Sequence, residues 1–354
     1  MRIATLSNAA VLHTRRWVGH FRARGHEVRL WSLEPPLPGL DAEALPCLPL
    51  PGVLRYPLAL PALSRALAGF APDLVDAHYV PNYGLLAALA GRHPFSVCAW
   101  GSDLLVAGRR DPLQRARARF VLRRADLVLA DADNLAAAAR ELGAPAGALH
   151  TIPWGVDLGR FAPAGEREPG LLLSTRMHEP VYDLETVVRG AAPVLAARPG
   201  TRLVVAGDGS LRPALERLAA ELLPAGRWSF TGRLEPAALA ALLGRAEVYL
   251  SASRSDSTSL SLLEAMAAGA LPVVSDIAGN REWVGEGDGA RLFAPGDAAG
   301  LARALGRALD DPGAAAARAR NRRVVEARGD WSASLARIEA LFEGLVAARR
   351  GRPA

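Results

Sequence analysis

Between Ser251 and Glu282 the chain carries hydroxyl and acidic residues at spacings suited to holding a diphosphate and the hydroxyls of a sugar. An apolar strand from Val248 to Ser251 runs into Arg254, Ser255 and Asp256, and Ser257, Thr258 and Ser259 then stand where a helix should start. The first turn of a helix offers backbone N–H groups without intrahelical partners and the positive end of the helix dipole, a setting that receives an anion. Glu264 follows about two turns in, at roughly 1.5 Å of rise per residue. A carboxylate there can accept from two vicinal hydroxyls, such as those of a ribose, and Asp256, just ahead of the helix, can reach a sugar. Leu262, Leu263, Ala265 and Met266 make this a half-buried helix, where an idle carboxylate would be costly.

All 42 basic residues are arginine; the 354 residues include no lysine. That excludes a Walker A phosphate loop, a pyridoxal phosphate Schiff base and a lysine-dependent aldolase, which all need a primary amine. Fixed positive charge at a site must be guanidinium, which binds phosphate well but is no base near neutral pH. Asp131 and Asp133 spell D-x-D, a metal-binding pattern in other transferases. Here they follow an apolar strand in a different fold class, and no metal is expected. Cys47 and Cys98 form neither a disulfide framework nor a metal-ligand spacing, consistent with a reduced, cytoplasmic setting.

Positioning these groups requires a regular frame. Apolar runs of strand length, Arg2–Ser7, Val28–Ser32, Leu74–Ala77, Phe95–Ala99, Leu127–Ala130 and His150–Ile152, alternate with helical stretches such as Arg16–Arg24 and Gly84–Ala90. Continuously apolar strands separated by helices predict a parallel sheet covered on both faces. A polar, turn-rich segment from Phe161 to Gly170 reads as a linker. A second series follows it: Leu171–Ser174, Leu203–Ala206, Trp228–Thr231, Val248–Ser251, Leu271–Ser275 and Ala290–Phe293. The expectation is an α/β protein of two doubly wound, Rossmann-like domains, 1–163 and 164–330, with ligands in a cleft at the strand C-terminal ends. Trp331, Leu335, Ile338, Leu341, Phe342 and Leu345 predict a closing amphipathic helix in 331–354 that packs back on the first domain. Pro35 to Pro61 has no clean period and reads as a long loop with some helix.

The segment from Asp256 through Glu264 to Gly269 and Pro272 resembles the E-x7-E region of the retaining GT-B glycosyltransferases of family 4, also called group 1. Further stretches resemble that family in order along the chain. They are His13–Trp17 with Arg24–Val28, Trp100–Asp103, Ile152–Asp157 with Phe161, Gly207–Gly209 and Phe230–Gly232. The resemblance implies the GT-B fold, a nucleotide-sugar donor in the C-terminal domain and an acceptor in the N-terminal one. It implies that Glu264 holds the ribose, that Ser259 and Leu260 offer N–H groups to the diphosphate, and that Asp256 contacts the donor sugar. Arg233 and Leu234 would lie beside the base, Gly207 and Gly209 would shape the donor loop, and Arg176 matches the family's diphosphate clamp. The clamp's usual lysine is absent, leaving His178, Tyr182 or Arg254 to assist. On the acceptor side the resemblance points to Ser7, Asn8, His13, His78, Trp100, Gly101 and Ser102, with Trp100 in place of the family's histidine and Asp103 or His78 assisting catalysis. No cofactor and no metal is implied beyond the donor itself.

The net charge of +6 is uneven, with 18 Arg against 13 acids in residues 1–163 and 24 against 23 thereafter. Seven of those arginines lie between Arg109 and Arg124, on a helix entered at Pro112. The reading is a solvated helix face, with contact to an anionic membrane surface or anionic acceptor as the alternative. No nucleic-acid motif is present, and neither a signal peptide nor a membrane span is expected, so the location is cytoplasmic, at most peripheral to the inner membrane face. The function implied is retaining transfer of a sugar to a glycan, lipid-linked or small-molecule acceptor, in cell-surface polysaccharide or lipid-linked glycan synthesis, with a secondary-metabolite scaffold as the alternative acceptor. A nucleotide-sugar epimerase or hydrolase, and a non-catalytic carbohydrate-binding member, remain as rival readings.

Overall fold

The computed structural model describes residues 1–46, 55–163 and 165–351; Cys47 lies outside the described residues. The chain divides into two compact units, Met1–Ile152 with Leu335–Ala354, and Pro153–Ser334. The division falls at Ile152, ahead of the polar segment 161–170.

The first unit is built on β1 (Arg2–Leu6), β2 (Glu27–Ser32), β3 (Glu43–Ala44), β4 (Leu74–His78), β5 (Phe95–Cys98), β6 (Leu127–Ala130) and β7 (Leu149–Thr151). They form one parallel sheet in the order β3-β2-β1-β4-β5-β6-β7. Every residue of β4, β5 and β6 is buried; β6 is apolar throughout, and the polar residues of β4 and β5, Asp76, His78 and Ser96, bond to one another. On one face the helix Leu12–Ala23 buries Thr14, Trp17, Val18 and Phe21. The last helix, Trp331–Arg350, lays Leu335, Ile338, Phe342 and Val346 against this unit, and Phe342 stacks on Phe21 at 5.4 Å. Each such side chain contributes about 1.5–3 kcal/mol on burial. Its Glu339 receives Arg24 Nε at 3.0 Å and His26 Nε2 at 2.8 Å.

Two features differ from the sequence reading. The helix expected over Gly84–Ala90 is preceded by a π-helical turn, Tyr79–Gly84, and a second such turn spans Ser102–Ala107. Pro81 stands in the first turn of this segment, where a backbone N–H has no intrahelical partner to lose. In the Pro-rich stretch the described residues include the edge strand β3 and two helices, Arg55–Leu58 and Leu60–Phe70, the latter carrying Pro61 in its first turn.

The second unit contains β8 (Leu171–Ser174), β9 (Arg202–Ala206), β10 (Trp228–Gly232), β11 (Val248–Ser251), β12 (Leu271–Ser275), β13 (Gly285–Glu286) and β14 (Gly289–Phe293), in the order β10-β9-β8-β11-β12-β14-β13. Successive residues feed the two faces alternately. Leu172, Val205 and Leu250 join one apolar cluster, and Leu171, Leu173, Val204 and Tyr249 join the other. In each sheet the strand order reverses in mid-sheet, at β1/β4 and at β8/β11, and the second sheet also steps back at its edge from β14 to the two-residue β13. The crevice beyond the strand ends at such a reversal is where ligands of open α/β sheets bind. Among the described residues no helix is long and apolar enough to cross a membrane.

Candidate functional site

In the second unit the reversal point is organised by Arg176, two residues past β8. Its guanidinium is buried and makes three side-chain bonds: Nη1 donates to Ser259 Oγ at 2.8 Å and to Ser261 Oγ at 2.7 Å, and Nη2 pairs with Asp256 Oδ2 at 2.6 Å. Tyr182 lies under the guanidinium at 4.1 Å. Burial is the largest influence and opposes the charge, but Asp256, Tyr249 and Tyr182 together outweigh it and keep the group above its ordinary pKa. Ser259 caps the helix Leu260–Ala268 by accepting from Leu262 N, and Tyr249 OH, on β11, donates to Ser261 Oγ at 2.8 Å. A permanent cation, three hydroxyls and a helix N-terminus therefore converge beyond β8 and β11, an arrangement that can receive a diphosphate. Glu264 is half-buried one turn into that helix.

The loop after β9 explains two glycines differently from the sequence reading. A Cβ on Gly207, at φ 134°, would come within 2.7 Å of the Arg176 carbonyl oxygen, and one on Gly209 within 2.6 Å of that of His178. They let the β9 loop pack against the segment carrying Arg176. His178 is enclosed there, edge-on to Phe230 at 5.5 Å, and burial holds its pKa below the ordinary value. Arg254 is largely exposed and pairs with Asp183 at 2.8 Å. Arg233 is exposed just after β10, beside the half-buried Leu234.

In the first unit the ends of β1 and β4 open on a cavity of about 250 Å³, lined by Ser7 and Asn8 from the first and His78 and Tyr79 from the second, with Trp100 opposite. A buried relay stands behind it. Asp76 accepts from Trp17 Nε1 at 2.9 Å and Ser96 Oγ at 2.7 Å and lies 3.1 Å from His78 Nε2. Trp100 Nε1 approaches His78 Nδ1 at 3.2 Å. Indole N–H can only donate, so Nδ1 accepts and the His78 proton sits on Nε2, toward Asp76. Tyr56, Asn82 and Tyr83 complete the lining. None of these three was singled out in the sequence; the aromatic-rich run after β4, with tyrosines at 79 and 83, was the available signal.

Asp103 lies at the junction of the two π-helical turns. It was expected to assist catalysis, but it is fully buried, and its carboxylate accepts from the backbone N–H groups of Val80 at 3.0 Å, Trp100 at 3.1 Å and Leu104 at 3.1 Å. It joins the two π-helical turns and holds the backbone at Trp100. Gly101, at φ 92°, allows the turn, and Ser102 is exposed beside it. Ser7 Oγ is engaged with Thr14 Oγ1 at 2.7 Å, and Asn8 Oδ1 caps Ala10 N at 2.8 Å. Asp131 is buried and Asp133 opens the helix Asp133–Glu141. Among the described residues the grouping that could hold a metal is instead His26, Glu339 and Glu343.

Two buried groups here give opposite pH dependences. Burial, reinforced by Arg16 and His78, lowers His13 from 6.5 to about 4. The unfolded chain therefore binds a proton in that window that the fold refuses, and stability falls as pH falls from 6.5 toward 4. Burial raises Asp103 from 3.8 to about 6, so the fold retains a proton the unfolded chain releases, and stability falls as pH rises from 3.8 toward 6. His13→Phe removes the first dependence alone. Between about pH 6 and 5 its melting temperature should rise relative to the unsubstituted protein, and parallel melting curves would contradict this assignment.

Comparison with known proteins gives this arrangement a family. Residues 8–155 match the glycosyl transferase 4-like domain and residues 168–311 the glycosyl transferases group 1 family. The chain belongs to the group 1 glycosyltransferases, of GT-B fold. Glycogen synthase of Mycobacterium tuberculosis is 30% identical over 270 residues, 75% of this chain and 62% of that protein. Phosphatidyl-myo-inositol mannosyltransferase of Mycolicibacterium smegmatis is 35% identical over 203 residues, 54% of this chain and 51% of that one. The chain thus spans less than two thirds of the length of these curated relatives. Among solved structures, sucrose-phosphate synthase of Thermosynechococcus elongatus superposes with a TM-score of 0.84 at 22% identity, covering 98% of this chain and all of that one. Anabaena HepE, solved with UDP-glucose, gives 0.82 at 17% identity, with 98% and 100% covered. Both share the fold.

In this member of the group 1 glycosyltransferases no lysine follows Arg176. The residues after Arg176 are Met177, His178, Glu179, Pro180, Val181 and Tyr182. Tyr182 stacks on the arginine, and Arg254, whose backbone N–H donates to Val181 O at 2.8 Å, stands next to this segment.

Proposed function

We propose that this chain is a retaining glycosyltransferase that moves a sugar from a nucleoside diphosphate sugar, held by Pro153–Ser334, to a hydroxyl of an acceptor held by the first unit. The observation that carries the reading is the convergence of buried, charged Arg176 with Asp256 and the capped helix start at Ser259, at the strand reversal of the second sheet. Family membership and the sugar-transferring activities named for its relatives support it. Loss of the diphosphate places charge on the departing oxygens, and Arg176 with the helix dipole stabilises that charge without a metal. Glu264 binds the ribose, Ser259 and Leu260 present N–H groups to the diphosphate, and Asp256 contacts the sugar. Arg254 supplies the second positive charge in place of the clamp lysine, and Arg233 and Leu234 border the base. Acceptors belonging to cell-surface polysaccharide or lipid-linked glycan synthesis fit best. The exposed Arg115, Arg119, Arg123 and Leu113 on and just after the helix Pro112–Leu122 offer a contact to anionic lipid.

Calorimetric titration of UDP, GDP, ADP, dTDP and CDP into the protein and into Glu264→Ala tests the donor half. One nucleotide should bind, and the variant should lose about 1–3 kcal/mol, as for a hydrogen bond to a charged group. Absence of binding by all five overturns the donor site. Turnover abolished by chelation contradicts the metal-free step.

A further inference from the structure

We propose that the cavity at the ends of β1 and β4 accepts a single uncharged polyol ring, a sugar or cyclitol unit without phosphate or carboxylate, laid against Trp100 and Tyr79. This rests on the reading of the chain as a glycosyltransferase and names its acceptor class. At about 250 Å³ the cavity lies below the usual range of roughly 300–1,000 Å³ for drug-sized ligands and has room for about one ring.

Its walls are aromatic. Tyr56 and Tyr83 meet edge to face at 5.2 Å, and Tyr79 and Trp100 stand nearly perpendicular at 6.4 Å, forming a corner of two ring faces. Such surfaces pack against the C–H face of a saturated ring; the Tyr83 hydroxyl is already engaged by Glu34, Ser32 and the Leu33 N–H, so Tyr83 contributes its ring alone. Tyr79 reaches this position with a left-handed backbone, φ 71°, a conformation costly for a bulky side chain and concentrated at functional sites.

The polar groups match a hydroxyl ligand and oppose an anion. Among the described residues no arginine, aspartate or glutamate lines the cavity; behind its tyrosines Arg55, 3.4 Å from Tyr56 OH, pairs with Glu34, which also accepts from Tyr83 OH. The lining histidine, His78, has its Nδ1 turned to Trp100 and its Nε2 to Asp76, so both ring nitrogens are already engaged within the protein. Asn82 Oδ1 is buried without a hydrogen-bond partner and needs a donor. A ring hydroxyl supplies that donor, whereas an ionised phosphate presents only acceptors and would meet no free cation in the lining, Arg55 behind Tyr56 being already paired with Glu34. A ring ammonium would find aromatic faces but no carboxylate.

In the transfer, the anomeric C–O bond to the diphosphate breaks, the ring hydroxyl oxygen forms the new bond to the anomeric carbon, and the hydroxyl proton leaves on the released nucleoside diphosphate. Trp100 contributes the platform, and His78 is a positioning residue that sets the indole through Nε1.

The test measures transfer from UDP-glucose and GDP-mannose to myo-inositol, myo-inositol 1-phosphate, methyl α-glucoside, glucuronic acid and glucosamine, alongside nucleotide affinity by calorimetry. A neutral ring should be the preferred acceptor by about tenfold or more in kcat/KM. Trp100→Ala should raise the acceptor KM by about tenfold with nucleotide affinity unchanged, and Trp100→Phe, which keeps a ring but loses the bond to His78, should raise it less. Preference for a phosphorylated, carboxylated or amino ring, or an acceptor KM unmoved in both variants, overturns the inference. Failure of every nucleotide to bind would instead overturn the underlying glycosyltransferase reading.

Discussion

Arg176→Met is expected to lower sugar transfer by about 10²–10³-fold, the usual cost of removing one preorganised donor from developing negative charge, or about 2.7–4 kcal/mol in the barrier. The side chain holds Asp256, Ser259 and Ser261 at once, so its loss also loosens the loop that presents them. Breaking a buried ion pair costs about 3–5 kcal/mol of stability, and the partial exposure of Asp256 keeps this case at the lower end. The two effects separate in the double variant Arg176→Met with Asp256→Asn. It removes the uncompensated carboxylate, so its melting temperature should recover while turnover stays low. Retained turnover in Arg176→Met would show that the guanidinium does not meet the leaving group. Arg176→Lys should recover little, because an ammonium is a point charge and cannot reproduce the planar fork that spans three partners.

Gly279→Ala is the second large expected effect, at a residue with no chemistry of its own. Gly279 lies in the short helix Ala278–Arg281, and a Cβ there would collide with the carbonyl oxygen of Ser257 and come within 2.7 Å of that of Asp256. Both obstacles are backbone, so no rotamer relieves them. The same segment is braced on its other side, where Asn280 Nδ2 donates to Ser275 O at 2.8 Å and Ser275 Oγ donates to Ser253 O at 2.6 Å. The loop from Ser253 to Ser257 must therefore move, and Asp256 with it. Overpacking of this kind costs about 1–3 kcal/mol, and about 2–4 °C of melting temperature accompanies each kcal/mol for a domain of this size. Donor KM should rise more than acceptor KM, since the displaced loop belongs to the second unit. Equal changes in both would indicate general destabilisation and remove the specific role assigned to this contact.

The strand ladder was legible residue by residue where burial is two-sided. Leu127–Ala130, Leu171–Ser174, Val248–Ser251 and Leu271–Ser275 occupy the bounds their apolar runs predict, because a strand enclosed on both faces cannot carry a polar residue without a partner. β3 and β13 escaped notice for the converse reason. Each has two exposed residues at a sheet edge, held by backbone pairing that leaves no hydrophobic trace. The π-helical turns were read as ordinary helix or not at all, since one wide turn perturbs side-chain periodicity too little to register.

The candidate site divides along the same line. Asp256, Ser259 and Glu264 lie within one strand-to-helix connection, so their order along the chain already sets their spacing, and a helix start with hydroxyl residues reads as an anion site from sequence. Composition alone also removed lysine chemistry. What tertiary structure decided is which distant residues meet. Trp17, Asp76, His78, Ser96 and Trp100 become one hydrogen-bonded relay because β1, β4 and β5 lie side by side in parallel register. The same placement buries Asp103, the group expected to assist catalysis, where its carboxylate accepts from backbone N–H groups of two turns. Local spacing fixes neighbours a few residues apart through the geometry of a single helix or strand. Contacts between elements depend on the order in which strands are laid into the sheet, and that order is settled only when the apolar faces of the whole unit are buried together.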